Sequence, residues 1–197
     1  MTSGTGVNAP LIGILANQTA TGTMVDTFTT AVTVTTAVAK KTLPGGFWYV
    51  GRVIRISALF AWKNVITAQP TFTFQVMLGP TSNIIVWSSG AVTTTTSAHA
   101  SLPAELIVWL KCVTVGTGTS ATLQGIGKLT GQHFVVSGAT ADSVLTHSTL
   151  MLPLTTPAPG TGFNSTIDNI LDLFVACQTS DANNGVQLFN YIVEDMS

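Results

Sequence analysis

Charge is what this sequence has least of. Only 8% of its 197 residues are Asp, Glu, Lys or Arg, against roughly a quarter in an ordinary soluble domain. Seven basic residues nearly balance eight acidic ones, for a formal net charge of −1. Nothing here would neutralise a run of phosphates, so a nucleic-acid partner is excluded. Long apolar runs are missing too: the longest, such as residues 106–110, last about five residues, far short of the roughly 18 that a spanning helix needs. No membrane partner is expected. The first residues, Met1-Thr2-Ser3-Gly4-Thr5, lack the basic start and apolar core of a secretory signal.

Cysteine is scarce as well. Cys112 and Cys177 fall in segments that read as strand interiors. They are two buried thiols, or else a bridge between adjacent strands. Either way, a chain of this length can bury a core without disulfides or metals. It fits one domain.

What is present is threonine and hydrophobic surface. There are 33 threonines, and 46% of the residues are hydrophobic, giving a mean hydropathy of +0.48. Threonine is β-branched and suits strands. A monomer with so few surface charges would tend to associate, so much of the outer face is expected to be covered by neighbouring subunits. The alternative is that exposed Thr and Ser keep a monomer soluble.

Residues 1–22 are mostly Gly, Thr, Asn and Ala around one apolar knot, Leu11-Ile12-Gly13-Ile14-Leu15. They read as an extended arm that orders only against something else. Residues 23–197 read as the domain. Strand-like text runs from Met24 to Val38 and stops at the Leu43-Pro44-Gly45-Gly46 turn. Ile54, Ile56, Phe60 and Trp62 then share one parity, with Arg55, Ser57 and Lys63 on the other. The cleanest alternation is residues 71–78, where Phe72, Phe74, Val76 and Leu78 should face the core and Thr71, Thr73 and Gln75 face out. Further strands are expected at 84–92, 104–115, 119–130, 144–152, 168–179 and 185–194. Gly, Pro, Thr and Asn break them, with a hairpin signal at Asp181-Ala182-Asn183-Asn184-Gly185. About eight or nine strands and no amphipathic helix predict an all-β, jelly-roll-like sandwich.

Chemistry is hard to find. His99, His133 and His147 have no ligand-spaced partner, so zinc would need a convergence in space. Asp168 and Asp172, with Asn164 and Asn169, suggest a calcium loop, but turn and edge capping accounts for them better. Gly125-Ile126-Gly127-Lys128 is no phosphate loop, because Thr122 and Leu129 stand where Gly and Ser or Thr are required. No Gly-x-Ser-x-Gly elbow occurs. Catalytic residues, cofactors and metals are therefore expected to be none, and an enzyme is not expected. Trp62, Trp87 and Trp109 read as core packing. The dense cluster Phe47-Trp48-Tyr49 reads as an interface anchor, with a sugar platform as the alternative.

Leu43-Pro44-Gly45-Gly46-Phe47-Trp48, followed by Gly51-Arg52-Val53-Ile54-Arg55, resembles a group of tailed-bacteriophage virion proteins. So does Gly160-Thr161-Gly162-Phe163-Asn164-Ser165-Thr166, with Leu171-Asp172-Leu173-Phe174 and Asn190-Tyr191 followed by Val193-Glu194-Asp195. The resemblance spans roughly residues 43–195 and its motifs are structural. It implies a jelly-roll-like sandwich on a phage particle assembled in the host cytoplasm, and no active site. The expected role is a capsid decoration or cement protein on the outer head surface, bridging the major capsid protein and clustering with itself as a homotrimer. The alternative is a tail or fibre module that binds a host surface glycan. Contact positions are expected at Leu11, Ile12, Ile14, Leu15, Phe47, Trp48 and Tyr49.

Overall fold

A computed structural model describes residues 13–65, 70–95, 97–136 and 147–197. The expected alternation builds its centre. In β5 (Val53–Asn64) the residues Ile54, Ile56, Phe60 and Trp62 are all buried. In β6 (Thr71–Leu78) Phe72, Phe74, Val76 and Leu78 are buried, while Thr71, Thr73 and Gln75 are half-exposed. Two antiparallel sheets stack these apolar faces on each other as a sandwich.

The first sheet runs β1 (Gly13–Asn17), β14 (Gly185–Asp195), β5, β9 (His99–Thr114), β10 (Thr122–Gly131) and β12 (Ser148–Leu152), with β2 (Val25–Asp26) also on β14. The second runs β11 (Phe134–Val136), β8 (Val92–Thr94), β6, β13 (Asn169–Cys177) and β3 (Val32–Thr33). Two more strands, β4 (Lys41–Leu43) on β13 and β7 (Ile84–Ser88) on β6, complete it.

The all-β sandwich is as expected, but the strand number is higher than eight or nine. Among the described residues, five of the fourteen strands have only two or three residues, too few to show a period. The expected strand at residues 24–38 is broken. β2 pairs in the first sheet and β3 in the second, with Thr27 between them at φ 57. This stretch crosses from one sheet to the other, which continuous pairing forbids. Within the segment read as an arm, Gly13–Asn17 pairs with β14 from Gly13 opposite Asp195 to Asn17 opposite Ile192. That part of the segment belongs to the first sheet. Residues 1–12 lie outside the described residues.

Two sequence features acquire a purely structural meaning. Gly125 and Gly127 sit on the inner side of β10, beneath the indole of Trp87 from β7. A Cβ on Gly127 would lie 2.8 Å from Trp87 Cζ2, and one on Gly125 would be closer still to Cδ1. The Gly-Ile-Gly-Lys string is therefore a slot for a tryptophan from the opposite sheet. Asp172, fully buried in β13, accepts hydrogen bonds from Thr33 Oγ1 (2.9 Å) and Leu173 N (2.8 Å) and pairs with Lys40 Nζ at 2.8 Å. It is a satisfied internal charge that ties the β3–β4 region to β13.

Candidate interaction surface

The predicted contact residues separate once placed. Phe47 is half-buried and packs on the core. Trp48 is 4% exposed, with its ring edge-on to Phe47 (5.1 Å) and Phe163 (6.2 Å). Trp48 is thus a core residue of this chain and not the surface anchor expected, because the turn before it folds the indole inward. Tyr49, the next residue, is 50% exposed. Ile14 is 68% exposed on β1, whereas Leu15 packs against the core. Leu11 and Ile12 lie outside the described residues.

The turn at 43–48 and the loop at 160–166, read separately in the sequence, meet in space. Gly46 N donates to Ser165 O at 2.9 Å, and Gly45 N donates to Asp168 Oδ1 at 3.0 Å. Gly45 approaches Thr166 so closely that a Cβ would strike its carbonyl. Arg52 binds the cluster from above. Its guanidinium carbon lies 3.7 Å from the Phe47 ring centroid and 5.1 Å from that of Tyr49, and the group pairs with Asp195. Burial would raise the Asp195 carboxyl, but hydrogen bonds from Arg52 and Ser197 and the Arg52 charge outweigh it and hold it below its usual value. Asp168 and Asn164 serve turn bonds, to Gly45 N and to Thr166 respectively. Among the described residues no group of three His, Cys, Asp or Glu could hold a metal.

Both cysteines are free and buried, which settles the two-thiol alternative; burial raises both above their ordinary value. Two histidines that sequence kept apart are stacked. His99 and His133 lie 4.3 Å apart at 21°, beside Trp62. Burial, then the His133 charge, lower the His99 value.

The surface that sequence reading missed is the outer face of the first sheet. An antiparallel sheet normally turns polar residues to water. Here register aligns Ile192, Ser57, Ile107, Lys128 and Met151 in one row across β14, β5, β9, β10 and β12. The neighbouring row is Glu194, Arg55, Trp109 and Ile126, and the row on the other side is Asn190, Leu59, Glu105, Thr130 and Thr149. Met151 is 62% exposed, Leu59 and Ile126 46% each. Trp109, expected in the core, is half-buried on this outer face. Arg55 and Glu194 neutralise each other at 2.7 Å. At one end Leu59, Pro103, Glu105, Gln132, His147 and Phe189 line a mainly apolar groove of about 500 Å³. Phe189, at a bulge between Leu188 and Asn190, stands 44% exposed at its margin. The signal was the unbroken apolar run at 106–110: in a strand whose sides alternate, it makes both faces apolar.

No family model matches the chain, and no curated protein matches it. Among solved structures it is similar to the CBM2 module of the evolved Dit of Lactobacillus casei BL23 phage J-1, at 10% identity and a TM-score of 0.32, covering 93% of this chain and 95% of that one.

Proposed function

We propose that this chain is a structural component of a tailed-phage particle, working without catalysis by packing the outer face of its first sheet against other protein chains. The observation that carries the reading is that face itself. It presents Ile107, Trp109, Ile126, Leu59 and Met151 beside the closed Arg55–Glu194 ion pair. A contiguous exposed apolar patch rimmed by polar residues marks a protein-interaction site, and the phage-virion resemblance of residues 43–195 supplies the particle. On the head this would be a decoration or cement role against the major capsid protein.

A second reading has its own observation. A tail or fibre module binding a host glycan would use the groove, where Phe189 offers an aromatic ring beside Glu105, Gln132 and His147. Against it, the other exposed aromatic, Tyr49, lies near the start of β5, whereas the groove lies six residues further along that strand at Leu59. The deciding experiment separates heads from tails and quantifies the chain in each by mass spectrometry. Many copies in the head fraction support the cement role. A few copies in the tail fraction, with a glycan-array signal lost in Phe189→Ala, support the glycan role. Absence from the particle overturns both.

A further inference from the structure

Resting on the packing role just proposed, we infer that the groove at Leu59 and Glu105 receives an arginine side chain from the protein chain that packs on this face. Glu105 carries the argument. Asp26, Asp172, Glu194 and Asp195 each pair with a Lys or Arg, and Asp168 and Asp181 accept hydrogen bonds from backbone N–H groups. Among the described acidic residues, Glu105 alone has neither an ion pair nor a hydrogen bond. It is half-buried on β9, with Leu59 of β5 and Thr130 of β10 opposite it in register. The closest lysine or arginine by register is Lys128, two residues along β10 from Thr130 on the side away from the groove, and it does not pair with Glu105. His147, the other titratable group of the groove, does not pair with it either. Taking an unpaired carboxylate out of water is costly, and a short acidic side chain cannot reach back to solvent as a lysine can. A chain that covers this face must therefore bring a positive charge to Glu105.

The surroundings select the kind of cation. Leu59, Pro103 and the exposed Phe189 ring make the wall of the groove mainly apolar, which suits a long aliphatic stem with its charge at the tip. Acceptor oxygens lie together on the Glu105, Thr130 and Gln132 side chains that line it. A guanidinium presents five N–H donors in one plane, so it can serve several acceptors at once and still lay its face on an aromatic ring. The chain builds this arrangement once within itself. Arg52 pairs with Asp195 while its guanidinium carbon lies 3.7 Å from the Phe47 ring centroid. Glu105 and Phe189 are the corresponding carboxylate and ring on the outer face. A lysine ammonium would meet the charge but is a compact point charge without the planar fork.

The experiment is an NMR titration of the full chain, following the backbone amides of Glu105, Gln132 and Phe189. The probes are Nα-acetyl-arginine methylamide, its lysine counterpart, and its norleucine counterpart, which keeps an aliphatic stem and lacks the charge. The arginine probe should bind roughly tenfold more tightly than norleucine, a factor worth about 1.4 kcal/mol, and more tightly than lysine. Glu105→Gln should remove that preference in the wild-type and Lys128→Met backgrounds alike, because Lys128 does not serve the carboxylate. Both substitutions lie on the outer face, and unchanged amide positions away from the groove confirm folding. Equal binding of arginine and norleucine overturns the inference, as does a preference that survives Glu105→Gln, a lysine probe that binds as well as arginine, or no shift with any probe. Shifts of the same amides with lactose but not with arginine overturn it in favour of the glycan reading. The packing role is read separately, from the abundance of Glu105→Arg in intact particles. Loss of that variant from the particle supports both readings, whereas wild-type abundance overturns the arginine contact and leaves the packing role standing.

Discussion

Placing one methyl group on the inner side of β10 tests the packing of the two sheets directly. In Gly125→Ala the new carbon would sit inside contact distance of Trp87 Cδ1 and 2.7 Å from Leu110 Cδ2. Trp87 is 4% exposed and Leu110 fully buried, so neither can swing into water. Overpacking of this kind costs about 1–3 kcal/mol, offset by a few tenths for the reduced freedom of the unfolded chain. For a domain of this size the melting temperature should fall by roughly 2–4 °C per kcal/mol, thus by about 2–12 °C in calorimetry. Trp87→Ala alone should cost about 3–5 kcal/mol through the cavity it leaves. In that background the clash with the indole is gone and Leu110 has vacated space to shift into, so the alanine at 125 should be close to neutral. The two changes should therefore couple by about 1–3 kcal/mol. Additivity within about 0.5 kcal/mol would refute the claim that Gly125 exists to admit the indole.

Other consequences can be checked by the same unfolding measurements. Lys40→Met strips the buried Asp172 of its cation and should cost about 3 kcal/mol, the low end for a broken buried pair, because the Thr33 and Leu173 donors remain; an unchanged midpoint in urea would count against that role. Trp48→Ala should cost about 3–5 kcal/mol and Tyr49→Ala less than about 0.5 kcal/mol, since the first side chain is buried and the second half-exposed; equal effects would contradict the burial. His99 is held below its ordinary value of 6.5, so the unfolded chain binds that proton more readily. Stability should then fall as pH drops from about 7 through 6.5 toward the lower folded value, with a shallower fall in His133→Ala because one of its two causes is removed; a melting temperature flat across that range would refute it. Asp195 behaves oppositely to a raised group: its depressed value contributes stability above pH 3.8 that is lost below it, and Arg52→Ala should reduce this acid-limb loss, the Ser197 hydrogen bonds remaining.

The alternating residues of β5 and β6 and the turns between strands were legible in sequence because the two-residue period is a local property of the backbone. So was the all-β class. Local text fails where both parities are apolar, as at residues 106–110, since period two then names two faces without saying which is core. Pairing between distant strands made that choice, turning Leu106, Val108 and Leu110 inward and leaving Ile107 and Trp109 outside. It also parted Trp48 from Tyr49, stacked His99 on His133 and joined the turn at 43–48 to the loop at 160–166. Each of these depends on contacts across tens of residues, which no local pattern encodes. The apolar outer face of the first sheet was written in the residues of five strands, and only their register assembled it into a surface.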